Sequence, residues 1–419
     1  MNAVKPEAVV VGGGFVGLHA AYRLHSLGLR VRVYTGGEIR RAASWGNAGI
    51  IHQGSITAVP EVMGLRKLLS LTLRRGSYVS IRPSFVFREL LPGGWLWRYV
   101  NEVKRGALAE NAALLQQVLT ESKRLWIEVI KELNLEADLN ENGSIEVFTV
   151  QKNFEFESEF RSKESEELGY TVKTLRGDEC RSLVPELSRE VVGGLLYPDD
   201  VHINPSKTIT SFIRALRGMG VEVLEDRVTL THSDGSVTAA DSEGRMTPDH
   251  LIVCSGAWTR ELMRSVGIDL PVVAGRGYLA VTEAIRERFG RPIIYADNRV
   301  IIGQTASGEV RLTSVFELAS PDAEPDTSKF ERIRGWASEA LPLVRGLKFV
   351  DTWVGPRPCT PDGAPIVGTI RGLRNVVIAT GGCRLGATLS SSMGLMVAEV
   401  VSGKERALVS RLSPERFRS

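Results

Sequence analysis

One stretch near the start of the chain, Ala8-Val-Val-Val-Gly-Gly-Gly-Phe-Val-Gly17, constrains the fold more than any other. Its apolar first part suits a buried strand, and its glycines lead into a helical pattern from Phe15 to about Leu27. Gly12 allows a tight turn between the two, Gly14 lets a pyrophosphate approach the backbone, and Gly17 lets the helix lie close to the strand. The stretch therefore predicts a dinucleotide-binding unit, with the anion at the unpaired N–H groups of the helix start.

The acidic residue that usually ends the second strand of such a unit is missing. That strand is expected at Leu29 to Tyr34, and Thr35, Gly36 and Gly37 follow it. A threonine hydroxyl can bond a ribose hydroxyl, but without the charge-assisted strength of a carboxylate. The nearest acid, Glu38, stands three residues late. The loss weakens an assignment to NAD more than one to FAD, which can draw on many other contacts.

Composition narrows the class of protein. With 419 residues, of which 43% are hydrophobic and 24% charged, the chain is long enough for two cores and typical of globular proteins. The net charge of +3 is spread along the chain, which gives no support to nucleic-acid binding. The four cysteines are far apart and form no C-x-x-C, so neither a metal site nor a disulfide framework is expected, and a reducing compartment is the default.

Membrane signals are weak. The N-terminus does not resemble a signal peptide, and no apolar run approaches the roughly 20 residues that span a bilayer. The aromatic stretch from Leu90 to Tyr99 favours core packing over contact with a membrane interface. We expect a cytoplasmic protein, with peripheral contact to the inner face of the cell membrane left open.

Helical patterns then interrupt the dinucleotide unit, at Val59 to Leu73, Trp95 to Val103 and Ala107 to Leu133. Strand-like segments between 144 and 197, and alternating strands between 272 and 315, fit an antiparallel sheet. These patterns predict an inserted domain.

Two later stretches repeat the strand, glycine turn and helix arrangement. The strand His250 to Cys254 ends in Ser255-Gly-Ala-Trp258, and the strand Val376 to Ala379 enters the glycine-rich segment Thr380 to Gly394. Both offer backbone N–H groups to an electron-rich ligand.

Taken together, these motifs resemble the FAD-dependent D-amino acid oxidase (DAO) superfamily, and within it the D-amino acid dehydrogenase (small subunit) branch. The matching segments are Ser44-Trp-Gly-Asn-Ala-Gly49, the stretch from Ala109 through Phe148, Gly193-Gly-Leu-Leu-Tyr-Pro-Asp-Asp200, Leu270-Pro-Val-Val-Ala-Gly-Arg-Gly-Tyr278 and Arg357-Pro-Cys-Thr-Pro-Asp-Gly-Ala-Pro-Ile-Val-Gly368.

The resemblance implies an α/β fold: a Rossmann-like, glutathione-reductase-like FAD-binding domain with an inserted α+β substrate domain built on an antiparallel sheet. The FAD-binding domain would comprise residues 1–60, 198–271 and 350–419. The substrate-binding domain would comprise residues 61–197 and 272–349.

The chain departs from the dehydrogenase branch near its C-terminal helix. That branch usually has Gly-His-Gly-x-x-Gly-Trp, whereas this chain has Gly381-Gly-Cys-Arg-Leu-Gly386, and the arginine is more like the glycine oxidase relatives. Covalent flavin, as in the sarcosine oxidase relatives, would need a cysteine near Gly355, but Cys359 directly precedes the Thr-Pro-Asp. We therefore expect non-covalent FAD.

The implied reaction moves a hydride from an amino acid Cα to flavin N5, and the resulting imino acid hydrolyses to a 2-oxo acid. Arg357 is the first choice for binding the substrate carboxylate, because a guanidinium forms a bidentate, charge-assisted pair. Arg384 is a second carboxylate contact or a group that stabilises negative charge on reduced flavin. Tyr278 would close over the substrate, and His52 would sit over the isoalloxazine. The alternative for Arg357 is a structural ion pair, and the alternative for Arg384 is an arginine at the surface. Tyr278 could instead be an ordinary core tyrosine, and His52 a structural histidine.

The same resemblance assigns the cofactor contacts, and no metal ligand is expected. The cofactor-binding positions are Gly12, Gly14, Phe15, Val16, Gly17, Thr35, Gly36, Ser44, Asn47, Ala48, Gly49, Ile50, Val228, Ser255, Gly256, Gly382, Leu385, Gly386, Ala387 and Thr388.

Several functions stay open at this point. The leading one is an amino acid dehydrogenase that passes electrons to a dye or quinone acceptor. A proline or hydroxyproline dehydrogenase acting as the catalytic subunit of a hetero-oligomer, and a glycine-oxidase-like oxidase, are the enzyme alternatives. An electron-relay flavoprotein subunit and an NAD-dependent enzyme come from other classes, and a homo- or hetero-oligomer is open.

Overall fold

The computed structural model describes residues 6–52, 54 and 76–417. The helix predicted between Val59 and Leu73 lies outside the described residues. The strands are β1 (Glu7–Val11), β2 (Arg30–Tyr34), β3 (Ile50–Ile51), β4 (Val79–Ile81), β5 (Ser144–Phe148), β6 (Lys173–Arg176), β7 (Gly193–Tyr197), β8 (Val201–His202), β9 (Glu222–Leu224), β10 (Thr229–Ser233), β11 (Ser236–Ala240), β12 (Arg245–Met246), β13 (His250–Val253), β14 (Val273–Ala284), β15 (Ile293–Tyr295), β16 (Val300–Gln304), β17 (Glu309–Ala319), β18 (Phe349–Cys359), β19 (Ile366–Ile370) and β20 (Leu373–Thr380). The helices are α1 (Phe15–Ser26), α2 (Pro83–Glu89), α3 (Trp95–Arg105), α4 (Ala107–Glu132), α5 (Gln151–Leu168), α6 (Gly177–Leu183), α7 (Pro205–Gly218), α8 (Thr259–Arg264), α9 (Ser328–Ala340), α10 (Gly386–Val401) and α11 (Ala407–Leu412).

The dinucleotide unit forms the centre of a six-stranded sheet in the order β19-β20-β13-β1-β2-β9. All neighbours pair in parallel except β19, which is antiparallel to β20. Alternate residues of β1 face opposite sides: Ala8 and Val10 pack with α1 and α10, whereas Val9 and Val11 pack with the small sheet β10-β11-β12. Because both faces are covered, β1 is almost entirely apolar, as the sequence pattern indicates.

A second, larger sheet has the order β18-β14-β17-β16-β15-β5-β7-β6, with β4 paired to β17. Its long strands β14, β17 and β16 are antiparallel neighbours, as the alternating pattern predicts. The mixed α/β architecture expected from the sequence is confirmed. The division of the chain into two domains stays a prediction.

Strand β18, which contains Pro356 and Pro358, is not among the strands that the sequence predicts. Proline cannot donate to a ladder and is therefore confined to edge strands, and β18 is the edge of the large sheet. Residues 350–359, assigned from the sequence to the FAD-binding part, thus pair with β14 of the other sheet.

The stretch from Leu90 to Tyr99 divides its side chains between core and surface. Trp95, Leu96 and Tyr99 are buried, as the expectation of core packing requires, but Leu90 and Leu91 are exposed. Within residues 6–52, 54 and 76–417, no helix has the length and apolar character needed to cross a membrane.

Candidate functional site

A cavity of about 590 Å³ lies at the carboxyl ends of the parallel strands. Its lining includes Val11 at the end of β1, Tyr34 at the end of β2, Cys254 after β13 and Thr380 at the end of β20. The carboxyl edge of an open parallel sheet is the usual place for a ligand, because the loops there separate to leave a crevice.

The first glycine turn forms one wall of this cavity. Gly12 has φ +123°, and a Cβ there would lie 2.3 Å from the carbonyl oxygen of Cys254. A Cβ on Gly17 would lie 1.8 Å from the carbonyl oxygen of Gly12, so neither position accepts a side chain. Gly14 differs, since its Cβ would meet only the Ser44 hydroxyl, at 3.1 Å. The open backbone of Gly14 at the start of α1 fits a pyrophosphate.

The end of the cavity beside β2 contains an acid that sequence reasoning discounted. Gly36 and Gly37 have φ of +77° and +104°, and this turn brings Glu38 into the cavity lining. The Thr35 hydroxyl donates to the carbonyl oxygen of Gly37 at 2.6 Å and also lines the cavity. The two adjacent glycines were the signal, because they let the chain reverse within three residues.

Sequence reasoning also did not identify Trp353, whose ring forms a flat wall of the cavity. The Trp353 indole lines the cavity and donates from Nε1 to the carbonyl oxygen of Arg40 at 2.7 Å. A Cβ on Gly46 would lie 2.2 Å from its Cε3 atom, so the backbone of Gly46 lies directly against the ring. Gly355 on β18 also lies directly against this ring, since a Cβ there would lie 1.8 Å from Trp353 Cη2.

The segment that contains Gly46 only partly reaches the cavity. Ser44 and Asn47 line it, and the Asn47 side chain closes its own loop by donating to the carbonyl oxygen of Ser44 at 2.6 Å. Ala48, Gly49 and Ile50 are not among the lining residues that the structure describes.

The predicted cofactor contacts therefore fall into two groups. The structure brings the following to the cavity: Gly12, Gly14, Phe15, Val16, Thr35, Gly36, Ser44, Asn47, Val228, Ser255, Gly256, Gly382, Gly386 and Ala387. The others lie beside it, in the core or in neighbouring turns: Gly17, Ala48, Gly49, Ile50, Leu385 and Thr388.

The two predicted arginines meet at the same cavity. Arg357 comes from β18, and Arg384 comes from the short 3-10 turn Cys383–Leu385 before α10. Burial, and secondarily the positive charge of Arg384, lower the pKa of Arg357 to about 10. Arg357 is still a cation at neutral pH, and an anion beside it would be stabilised.

Arg357 is held by strands that sequence reasoning did not connect to it. Its Nη1 atom donates to the carbonyl oxygen of Val315 at 3.1 Å. Val315 has φ +69°, which is strained for a β-branched residue, and it lies in a β-bulge where the register between β14 and β17 shifts. On β14, between β17 and β18, a Cβ at Gly277 would lie 2.2 Å from Arg357 Nη2. The missing side chain of Gly277 therefore makes room for the guanidinium.

The other two predicted catalytic residues lie elsewhere. The Tyr278 hydroxyl is buried and donates to Glu317 at 2.9 Å, while the backbone N–H of Asp326 donates to it at 3.1 Å. His52 Nδ1 lies 2.9 Å from an Asp200 carboxylate oxygen. Neither residue is among the described residues that line the cavity, and the roles given to both stay predictions.

The expectation that the cysteines are too far apart for a disulfide is wrong. Cys359 and Cys383, separated by 24 residues in sequence, form a disulfide with a Cα–Cα distance of 4.5 Å. Cys180 and Cys254 are free and buried. The spacing gave no sign of the pairing, because the edge strand β18 and the turn before α10 meet only in the folded chain.

The chain is similar to known proteins over most of its length. A family model described as FAD dependent oxidoreductase (DAO) matches residues 7–400. A D-amino-acid oxidase of Bradyrhizobium diazoefficiens is 26% identical over 421 residues, covering 98% of this chain and 99% of that protein. A D-amino acid dehydrogenase of Helicobacter pylori is 24% identical, and the match covers 95% of each chain.

Solved structures share the fold. The glycine oxidase from Geobacillus kaustophilus superposes with a TM-score of 0.79 at 19% identity, covering 99% of each chain. The L-proline dehydrogenase from P. horikoshii superposes with a TM-score of 0.75 at 19% identity, covering 99% of this chain and 98% of that one.

Proposed function

The chain belongs to the DAO family of FAD-dependent oxidoreductases, and from that premise we propose that it catalyses the oxidative deamination of an amino acid. The relatives named as D-amino acid oxidase and dehydrogenase support an amino acid substrate. The observation that carries the proposal is the cation of Arg357, which lines the cavity of the dinucleotide unit.

Arg357 has the properties of a carboxylate-binding group. Among the described residues no acidic side chain forms an ion pair with it, and its Nη1 atom donates to a neutral backbone carbonyl. A partly buried guanidinium without a counter-ion is costly, and a substrate carboxylate supplies the missing charge with a bidentate pair. Arg384, at the same cavity, would make a second contact.

The fit to FAD rests on the residues already described. The open backbone of Gly14 and the start of α1 would hold the pyrophosphate, and Glu38 with Thr35 would hold the ribose. When bound, the flavin supplies the two-electron acceptor. We propose that it is non-covalent, because the sulfur of Cys359 is already bonded to Cys383.

The work left to the chain is binding and orientation. Fixing the carboxylate at Arg357 would set the position of the substrate Cα, since the bidentate pair restricts rotation as well as distance. The Trp353 wall would exclude water from that end of the cavity. No histidine is among the described residues that line the cavity, so we expect the amine to lose its proton to solvent.

The proposal also covers the electron acceptor and contact with the membrane. We favour a quinone or dye acceptor and a cytoplasmic protein in peripheral contact with the membrane. The support for contact is an exposed apolar group on α2 and α3 and the link between them, in which Phe87 is 80% and Leu91 63% exposed.

The test is anaerobic mixing of the flavin-loaded protein with D- and L-amino acids, including glycine and proline, while the flavin absorbance band is followed. Bleaching by one group of amino acids is the expected result, and readmission of air then separates an oxidase from a dehydrogenase. An Arg357→Lys variant, which keeps the charge but loses the fork, should bleach only at much higher substrate concentration. If no amino acid bleaches a flavin that dithionite reduces, the proposal is wrong.

A further inference from the structure

We propose that the Cys359–Cys383 disulfide positions Arg357 and Arg384 for carboxylate binding, and that its reduction by a dithiol weakens that binding. The proposal rests on the carboxylate-binding role given to these arginines above. Its first evidence is the placement of the bond. Cys359 follows Arg357 by two residues on β18, and Cys383 directly precedes Arg384.

The disulfide joins the edge strand β18 to the 3-10 turn before α10. β18 is the edge of the large sheet, so it pairs with β14 on one side only. On its other side, one antiparallel bridge links Cys359 to Gly382 in the turn before α10. The sulfur–sulfur bond thus adds a direct covalent link between the strand that carries Arg357 and the turn that carries Arg384.

The backbone of Cys383 adopts a strained conformation that the disulfide would help to maintain. Cys383 has φ +41°, in the left-handed region that residues with a Cβ rarely adopt. Such a conformation persists only where the surrounding structure enforces it. When the sulfur bond is broken, Cys383 is free to relax towards ordinary backbone angles, and the adjacent Arg384 moves with it.

The bond is accessible to a reductant from one side. Cys383 lines the cavity and is partly exposed, whereas Cys359 is buried at 2% exposure. A dithiol attacks as its thiolate, forms a mixed disulfide, and closes into its own cyclic disulfide. Two electrons and two protons then reside on Cys359 and Cys383 as two thiols, and an oxidising thiol pool reverses the reaction.

The first experiment counts thiols in the purified protein after denaturation, with and without prior reduction. Two of the four cysteines, Cys180 and Cys254, should react before reduction and all four afterwards. Four reactive thiols in protein purified without reductant would overturn the proposal while leaving the proposed function intact.

The second experiment measures the binding of acetate and benzoate to the flavin-loaded protein, from the perturbation of the flavin spectrum. Reduction with dithiothreitol, verified by a count of four thiols after denaturation, should raise both dissociation constants about tenfold, the effect of losing one charge-assisted hydrogen bond. FAD content should stay constant. This readout does not require turnover, so it is independent of which amino acid is the substrate. Unchanged dissociation constants would overturn the proposal.

Variants separate positioning from general stabilisation. Cys359→Ser with Cys383→Ser should bind benzoate as weakly as the reduced protein. Cys359→Ser with Cys383→Gly also lacks the bond, but glycine accepts φ +41° without strain, so it should recover part of the lost affinity. Cys180→Ser, in a separate core, is the control and should stay sensitive to dithiothreitol. Equal affinity in the serine and glycine double variants would refute the role given to Cys383.

Discussion

Gly277→Ala tests the placement of Arg357 directly. The backbone of Gly277 lies outside the left-handed region, so alanine fits its conformation and only the added methyl group matters. That methyl carbon would lie 2.2 Å from Nη2, 2.4 Å from Cζ and 2.5 Å from Nη1 of Arg357. All three distances are shorter than a van der Waals contact, so the guanidinium must leave its place above β14.

The expected loss of substrate affinity follows from the contacts that the displaced guanidinium no longer makes. The guanidinium loses its hydrogen bond to the carbonyl oxygen of Val315, and it is no longer oriented to pair with the substrate carboxylate. A hydrogen bond to a charged group is worth about 1.5–3 kcal/mol, which corresponds to about 10- to 150-fold in affinity. Because the displaced group is the end of a long, flexible side chain, the free energy of unfolding should change by less than about 1 kcal/mol.

The assay is a KM and kcat comparison with the amino acid that bleaches the flavin, accompanied by FAD content and thermal unfolding. KM should rise and kcat should fall less, since the variant moves a binding group. Gly335→Ala is the matched control, because a Cβ at that helical position meets nothing within 4 Å. If Gly277→Ala folds, holds FAD and keeps its KM within about twofold of the unmodified protein, well inside the cost of one charged hydrogen bond, the reasoning is wrong.

Three further predictions concern pH, the cofactor and the membrane. Because the pKa of Arg357 is lowered to about 10, its charge is present below that pH and lost above it, so KM should rise as the pH passes about 10. A KM that stays constant up to pH 11 would show that the pKa of Arg357 is not lowered to about 10. Glu38→Gln should weaken FAD binding about tenfold, measured by flavin fluorescence, because it removes a charge-assisted bond to the ribose, whereas Thr35→Val should cost less. Equal effects of the two would contradict the assignment of Glu38. Phe87→Ser with Leu91→Ser should abolish co-sedimentation with anionic lipid vesicles while leaving turnover with a soluble dye unchanged, and retained co-sedimentation would refute membrane contact there.

Local patterns accounted for much of the nucleotide-binding half. The glycine turn from Gly12 to Gly17 was predicted with the role of each glycine, because those roles depend on backbone angles and contacts within one strand–turn–helix unit. The start of α7 is equally local, because Pro205 suits the first helical turn and the Asn204 side chain accepts from the backbone N–H of Lys207.

The resemblance to a known family supplied the fold and the cofactor and suggested four catalytic residues, of which Arg357 and Arg384 line the cavity, whereas Tyr278 and His52 are not among the described lining residues. Tyr278 is held by Glu317 in the buried interior, and His52 is paired with Asp200. Motif position fixes where a residue stands along a strand or loop, whereas the direction of its side chain depends on the partners that the rest of the fold provides.

What the sequence by itself determined is therefore the set of local units and the family. The tertiary structure alone decided how they meet: Cys359 with Cys383 across 24 residues, and Arg357 with Gly277 and Val315 on three neighbouring strands. The physical reason is that strand register and a β-bulge set these contacts. Register is a property of paired strands, and it has no signature in the spacing of residues along one of them.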